Sequence, residues 1–414
     1  MKSYIKKNIY KWHKTVGVFV VIPTILWTLS GIMHPFMSHW FKTQLPEKFY
    51  IEKTIYPTKQ SLGIKTILEK NKIESFKNIR FVNLKGKHFY QIKLKNNVLK
   101  YYSSKDGNEL ENGDKIYAQQ IARQMLGDQK SNIKSITQIP SYTNEYKSVN
   151  RLLPVWKVSF DRSDKMDIYV ETAHSKFSTF NDQKRKVFIW IFSNFHNWEF
   201  LSLLSEPIQY FVMLICLAVI FFTALSGTII YGFFWKVFKK PISQEKVGAL
   251  RKYHRSLGVA FSFITFLFAF SGGYHITRKF EPDNRLSFLN EPVFKTNELP
   301  LHLNQLNKNE IQMSMVKIDK LTSIQTQTFD FVTKEITFNY FKLNDTLKIE
   351  NGNEKYCFSL LSDFTRNNNE KISATINKEW VTDFTNEYGF VNKRLPVMAY
   401  HLNNEKNSSY YIDP

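Results

Sequence analysis

The sequence predicts an α-helical membrane bundle that carries two α+β soluble domains, built as an internal duplication with three spans present where four are expected. Three observations predict it. Apolar residues are gathered into three long runs within an otherwise polar chain. Two of these runs carry histidines in the same register: His13 and His34 are 21 residues apart, as are His254 and His275. Short strings from the soluble parts also recur, Thr143 to Tyr146 (TNEY) at Thr385 to Tyr388 and Leu153 to Val155 (LPV) at Leu395 to Val397. Apolar composition alone does not keep such a register.

Composition narrows the function classes. The chain has 414 residues, 43% hydrophobic, with a mean hydropathy of −0.33, so most of it lies outside any membrane. The formal charge is +21, yet no nucleic-acid motif accompanies it, and no nucleic-acid partner is expected. Only Cys216 and Cys357 occur, which argues against a disulfide framework or a CxxC zinc site. No GxGxxG or P-loop is present, so neither NAD nor flavin is expected.

Residues 1–14 form a basic foot with Lys2, Lys6, Lys7, Lys11 and Lys14. Residues 15–37 follow as the first transmembrane helix, long enough for ~30 Å of hydrocarbon. The run exceeds a signal-peptide core and no A-x-A site follows, so it reads as an uncleaved anchor, with Pro23 tolerated inside it. Residues 38–183 read as an α+β domain. Leu62, Ile64, Ile67 and Leu68 have helical spacing; Phe81–Leu94 and Val98–Tyr102 alternate as strands; Lys115–Leu126 is a second helix; and Pro154–Phe160 pairs with Met166–Thr172. Residues 184–206, rich in Phe and Trp with His196 in the middle, read as an amphipathic helix at the membrane surface.

Ser205, Glu206 and Pro207 give a helix start for the second span, 207–235. The loop 236–255 is short and basic, 256–277 is the third span, and 278–414 is a second, incomplete soluble region. Short basic segments face the cytoplasm. The N-terminus and the 236–255 loop are therefore expected inside and both soluble regions outside.

The histidines carry the chemistry. Twenty-one helical residues rise ~31 Å, which places His13 and His34 near opposite membrane faces, and His254 and His275 likewise. A lone interfacial histidine ordinarily snorkels to the headgroups, but four in repeated register point to ligation. Haem iron takes axial imidazoles from facing helices, whereas zinc would need further close ligands that the spans lack. Ser-Gly pairs at 30–31, 226–227 and 271–272 read as small residues for close helix approach, which also suits a flat macrocycle.

The strings KWHKTVGV…LSGIMH, KYHRSLGVAFSF…FSGGYH, LPVWKVSFDRSDKMDIYV and FHNWEFLSLLSEPIQY…ALSGTIIYG resemble the PepSY-associated transmembrane family. The likeness covers nearly the whole chain, strongest at the spans and weak over 282–380. It implies two PepSY-like periplasmic domains between four helices in the inner membrane of a bacterium. For siderophore-linked members it implies haem b held by membrane histidines. On this sequence those histidines fall at His13, His34, His196, His254 and His275. A fourth span and its preceding histidine are missing, which puts one haem site in doubt. Pairing stays open: His34 with His275 and His13 with His254, or His34 with His196.

The expected function is haem-b electron transfer across the lipid bilayer, with ferric siderophore or another iron(III) chelate reduced at the periplasmic face. Quinol or a redox partner protein would be the electron donor. The rival class is non-enzymatic: a membrane-tethered PepSY module that binds or regulates a peptide or protease partner.

Overall fold

The computed structural model describes residues 2–33, 36, 61–233, 248–280, 291–300, 310–330, 335–343, 347–369, 372, 376–389, 394–403 and 408–414. The chain divides into two compact units, Met1–Lys42 with Lys184–Asn284, and Thr43–Gln183 with Arg285–Pro414. Each is described by itself.

In chain order the elements are α1 (Lys2–Met33), α2 (Ile64–Lys70), β1 (Ser75–Leu84), β2 (Lys87–Leu94), β3 (Leu99–Ser103), α3 (Gly113–Leu126), β4 (Ile133–Ile139), β5 (Val155–Phe160), β6 (Asp167–Glu171) and β7 (Lys176–Asn181). Then follow α4 (Gln183–Ile191), α5 (Glu206–Thr228), α6 (Gly248–Thr277), β8 (Phe294–Lys295), β9 (Glu310–Ile318), β10 (Leu321–Phe329) and β11 (Ile336–Lys342). The chain closes with α7 (Gly352–Asn367), β12 (Ile376–Val381), β13 (Val397–Leu402) and β14 (Ser409–Ile412).

Among the described residues the first unit holds three helices long and apolar enough to cross a membrane: Asn8–Met33, Glu206–Tyr231 and Lys252–Phe280. Their hydroxyls turn back onto their own backbones. Thr24 Oγ1 donates to the Val20 carbonyl at 2.7 Å and Thr223 Oγ1 to the Val219 carbonyl at 2.7 Å, so neither presents an unpaired polar group to lipid. The predicted start of α5 is observed: Ser205 Oγ accepts from the Ile208 N–H, and Pro207 occupies the first turn, where its missing N–H costs nothing.

Two helix starts and the form of the surface segment differ from the sequence reading. The first helix begins at Lys2, not at residue 15, because nothing in the basic foot breaks a helix. The third begins at Gly248, inside the expected loop. The surface segment is not one helix: α4 gives way to a π-helical turn at Phe192–His196 and a 3-10 turn at Glu199–Leu203, with Trp198 at φ 53° between them.

Among the described residues the second unit holds four antiparallel sheets ordered β3-β2-β1-β8, β11-β10-β9, β12-β13-β14 and β4-β5-β6-β7. Phe81–Leu94, expected as one strand, is a hairpin. Lys85 and Gly86 both take positive φ at its turn, and Asn83 Oδ1 accepts from the Gly86 N–H. Strands β4 and β7 were not anticipated. The two soluble stretches, expected as separate domains, share one compact unit. Phe76 pairs with Phe294, and one core joins Ile64, Ile67, Phe76 and Tyr90 to Met313, Met315 and Ile324. Burying these side chains contributes about 1.5–3 kcal/mol each, so the joint core outweighs any pull toward separation.

The same local arrangements occur on both sides of that core. Tyr101 lies over Gly113 and Tyr340 over Gly352, each so close that a Cβ on the glycine would come within 2.7 Å of the ring side chain. Leu153-Pro154 and Leu395-Pro396 are both cis. The Tyr146 N–H donates to Thr143 Oγ1, and the Tyr388 N–H to Thr385 Oγ1. Tyr146 stacks on Tyr169 at 5.0 Å, and Tyr388 on Tyr411 at 4.5 Å.

A buried hydrogen-bond chain also occurs twice. In the first case Arg80 Nη1 donates to Gln91 Oε1, Gln91 Nε2 to Tyr101 Oη, and Tyr101 Oη to Asp114 Oδ1. In the second, Gln325 Nε2 donates to Tyr340 Oη, which donates to Asn353 Oδ1, and the residue facing Gln325 across the ladder is Ser314. Where one chain ends in Arg80 and Asp114, the other has Ser314 and Asn353. Both charges are exchanged together, as expected where a buried charge left alone would be costly.

Candidate functional site: two serine-glycine seats for imidazole

Each of two Ser-Gly pairs in the first unit receives an imidazole from another element. The first seat lies on α5. His13 of α1 places Nδ1 3.0 Å from Ser226 Oγ and 3.2 Å from the Thr223 carbonyl oxygen. A carbonyl only accepts, and the Ser226 hydroxyl already donates to the same Thr223 oxygen at 2.9 Å. The proton is therefore assigned to Nδ1, and Nε2 keeps its lone pair. Gly227 makes the approach possible: a Cβ there would lie 2.9 Å from His13 Cε1.

A second imidazole faces this one. The His254 ring centre, on α6, is 6.1 Å from that of His13. Tyr231 turns its edge to both, at 5.9 Å from His13 and 6.0 Å from His254. Helix crossing brings the rings together. Gly17 of α1 packs within 3.9 Å of the Thr223 methyl, and Gly272 of α6 within 3.4 Å of Leu217 on α5, measured from an added Cβ.

The second seat lies on α1. His196 Nδ1 is 3.0 Å from Ser30 Oγ, whose hydroxyl donates to the Leu26 carbonyl at 2.7 Å, and Gly31 lies beneath the ring, 3.9 Å from its Cε1. The proton again falls on Nδ1. The ring stacks on Phe192 at 4.4 Å, and Trp27 Nε1 donates to the His196 carbonyl at 2.7 Å while stacking on Trp198 at 4.8 Å. The π-helical turn sets this geometry. An extra residue in the turn swings His196 off the regular helical face, and π-turns gather at functional sites for that reason.

Of the five histidines singled out in the sequence, His13 and His254 are brought together, and His196 meets Ser30 and Gly31. His275 stands exposed in the last turn of α6, and no imidazole meets Ser271-Gly272 among the described residues. His34 lies outside the described residues. The sequence reading gave the Ser-Gly pairs only the role of close approach. The serine as imidazole acceptor, the Thr223 carbonyl, Tyr231 and Trp27 were all missed. The signal was present, since the same dipeptide occurs near a histidine-bearing segment three times.

The 6.1 Å between the His13 and His254 ring centres matches the spacing of two imidazoles on one iron, but Tyr231, 5.9 and 6.0 Å from them, stands in the plane a macrocycle would occupy and would have to turn aside. A transition-metal–imidazole bond is about 2 Å long, and with about 1 Å from each nitrogen to its ring centre, two axial rings stand roughly 6 Å apart. Nδ1–H held by a carbonyl or hydroxyl, with Nε2 left to the metal, is the usual outer support of a ligating histidine. Among the described residues no group of three or more His, Cys, Asp or Glu converges as a bare ion would need. A macrocycle brings four donors of its own and asks the protein for two.

No family model, curated protein or solved structure matches this chain.

Proposed function

We propose that this chain is an internally duplicated, membrane-embedded haem-b electron-transfer protein, in which His13 and His254 would hold one haem and His196 would serve a second setting. We further propose that it resembles the PepSY-associated transmembrane proteins in function. It would deliver electrons to a ferric siderophore or another iron(III) chelate at the periplasmic face of a bacterial inner membrane, with quinol or a redox protein as donor. The observation that carries the reading is the approach of the His13 and His254 ring centres to 6.1 Å, with the His13 proton assigned to Nδ1. Apolar helices of spanning length support the bilayer as surroundings. The matched cis peptides, Tyr-over-Gly contacts and Thr-Tyr turns support the duplication.

A bound haem supplies one-electron exchange between ferric and ferrous iron. The protein's residues do the rest. Thr223 and Ser226 hold the Nδ1 proton and so aim Nε2. Gly227 leaves the ring room to seat. Tyr231, 5.9 Å from the His13 ring and 6.0 Å from the His254 ring, would have to turn aside to admit the group. The basic N-terminal segment and the basic stretch 236–255 set the orientation by charge bias.

The test is a reduced-minus-oxidised absorption spectrum of the full chain purified from haem-replete cells. A haem-b signal of which the same fraction is lost in His13→Ala and in His254→Ala supports the reading. A folded, colourless wild-type protein refutes it.

A further inference from the structure

We propose that the second unit binds an anionic oxygen group, a carboxylate or a phosphate, in the cleft beside Arg80. The inference is independent of the haem reading. Arg80 is 2% exposed. Its Nη1 donates to Gln91 Oε1 and to the Thr172 and Ala173 carbonyls, and Nη2 donates to Ser175 Oγ. All four acceptors are neutral. Nε is buried with no hydrogen-bond partner, and no carboxylate lies within ion-pair distance of the guanidinium among the described residues. The nearest acid along its bonds is Asp114, beyond Gln91 and Tyr101. A buried cation without a counter-charge is the costly state of such a group.

Lys93 adds positive charge to the same cleft, which His174, Asn78 and Gln91 also line. The acids nearby are already engaged. Glu291 pairs with Lys93 and with Lys77, and Glu171 faces His174 at 3.4 Å. Asp413 pairs with Arg394, and Lys176 stands 3.9 Å from it. The cavity is about 10 Å³, the size of a single water or oxygen atom. An anion would therefore insert an oxygen and keep its body in the open mouth.

The fold does not demand the guanidinium. The corresponding hydrogen-bond chain in the other half has Ser314 facing its glutamine and is equally buried. Arg80 is thus an addition at a position where a neutral residue suffices for packing. Arginine is also the side chain suited to planar oxyanions, through charge-assisted hydrogen bonds.

The experiment is a titration of the full chain in nanodiscs at constant ionic strength, with sodium phosphate, sodium acetate and sodium chloride as separate probes, read by calorimetry and by the thermal midpoint. Saturable binding of phosphate or acetate above the chloride baseline is expected, and the stronger of the two identifies the oxyanion. Arg80→Gln should weaken it by about tenfold or more, and Lys93→Gln by a smaller factor. Should Arg80→Gln fail to fold, Arg80→Lys and Lys93→Gln carry the test. Equal response to all three salts, or unchanged binding in the variants that fold, overturns the proposal. The haem spectrum of the same samples should not change with anion, so failure here is distinguishable from failure of the redox reading.

Discussion

The His13 and His196 seats share a plan and differ in tightness. In both, a serine hydroxyl gives its hydrogen to its own helix and its lone pair to Nδ1, and a glycine lies under the ring. At Gly227 the ring approaches so closely that no Cβ could stand there, whereas at Gly31 it sits at ordinary contact distance. The His13 ring faces another imidazole and a tyrosine edge; the His196 ring is stacked flat on Phe192. The proton position comes from the Thr223 carbonyl at His13 and from the Ser30 hydroxyl at His196, and what each ring can do comes from the face it leaves uncovered.

The largest expected effect separates the two seats outright. His13→Ala and His254→Ala should each remove the same fraction of the haem-b signal, and the double variant no more than either alone. His196→Ala should leave that fraction in place. Additive loss from His13→Ala and His254→Ala would mean the rings serve different groups, and the pairing would fall.

A smaller contrast concerns the glycines. Gly227→Ala drives a methyl into the His13 ring, and overpacking of this kind costs about 1–3 kcal/mol. Gly31→Ala meets open contact and should stay within about 0.5 kcal/mol. Denaturant or thermal midpoints in one detergent measure both. Equal effects would mean the seats are equally tight in the membrane.

The serines should matter less. Each hydroxyl-to-imidazole bond within a membrane bundle is worth about 0.6 kcal/mol. Ser226→Ala leaves the Thr223 carbonyl to hold the His13 proton, so the spectrum should barely move. Ser30→Ala removes the side-chain acceptor of His196 and should move its imidazole nitrogen resonances more. The reverse order would show that Ser226, not the carbonyl, fixes the tautomer.

Cys357 reports whether these variants act locally. Burial, with Asp413 nearby, pushes its thiol up to about 12. Alkylation mapped by mass spectrometry should leave it unmodified in every variant above, and labelling in Gly227→Ala would mean the disturbance reaches the soluble unit.

The sequence showed the long apolar helices because twenty apolar residues in a row are an unmistakable pattern, and it showed the histidines because their spacing recurs. It did not show which ring meets which serine, since that depends on helix crossing and on a π-turn with no signature of its own in the residues around Phe192. The matched soluble elements were legible only in part. The offset between equivalent residues is 234 at Gln91 and Gln325, 239 at Tyr101 and Tyr340, and 242 at Thr143 and Thr385. Insertions in the turns shift the register, so a fixed-offset comparison finds the Leu-Pro-Val strand and passes over the Tyr-Gly contacts. Strands β4 and β7 escaped because their patterns are broken, β4 exposing two residues of every three and β7 burying neighbours together.

The pairing of Phe76 with Phe294 has a consequence for how the protein is made. The sheet that begins at Ser75 gains its last strand only when a segment roughly 220 residues later leaves the ribosome, which at about 5–20 residues per second takes roughly 10–40 s. Through that interval two further apolar helices are synthesised while the β1 edge and the faces of Ile64, Phe76 and Ile79 have no β8 to cover them. A holding chaperone on the side where this stretch emerges would find its binding site there, and would lose it at the moment Phe294 and Thr296 close onto Phe76 and Glu74.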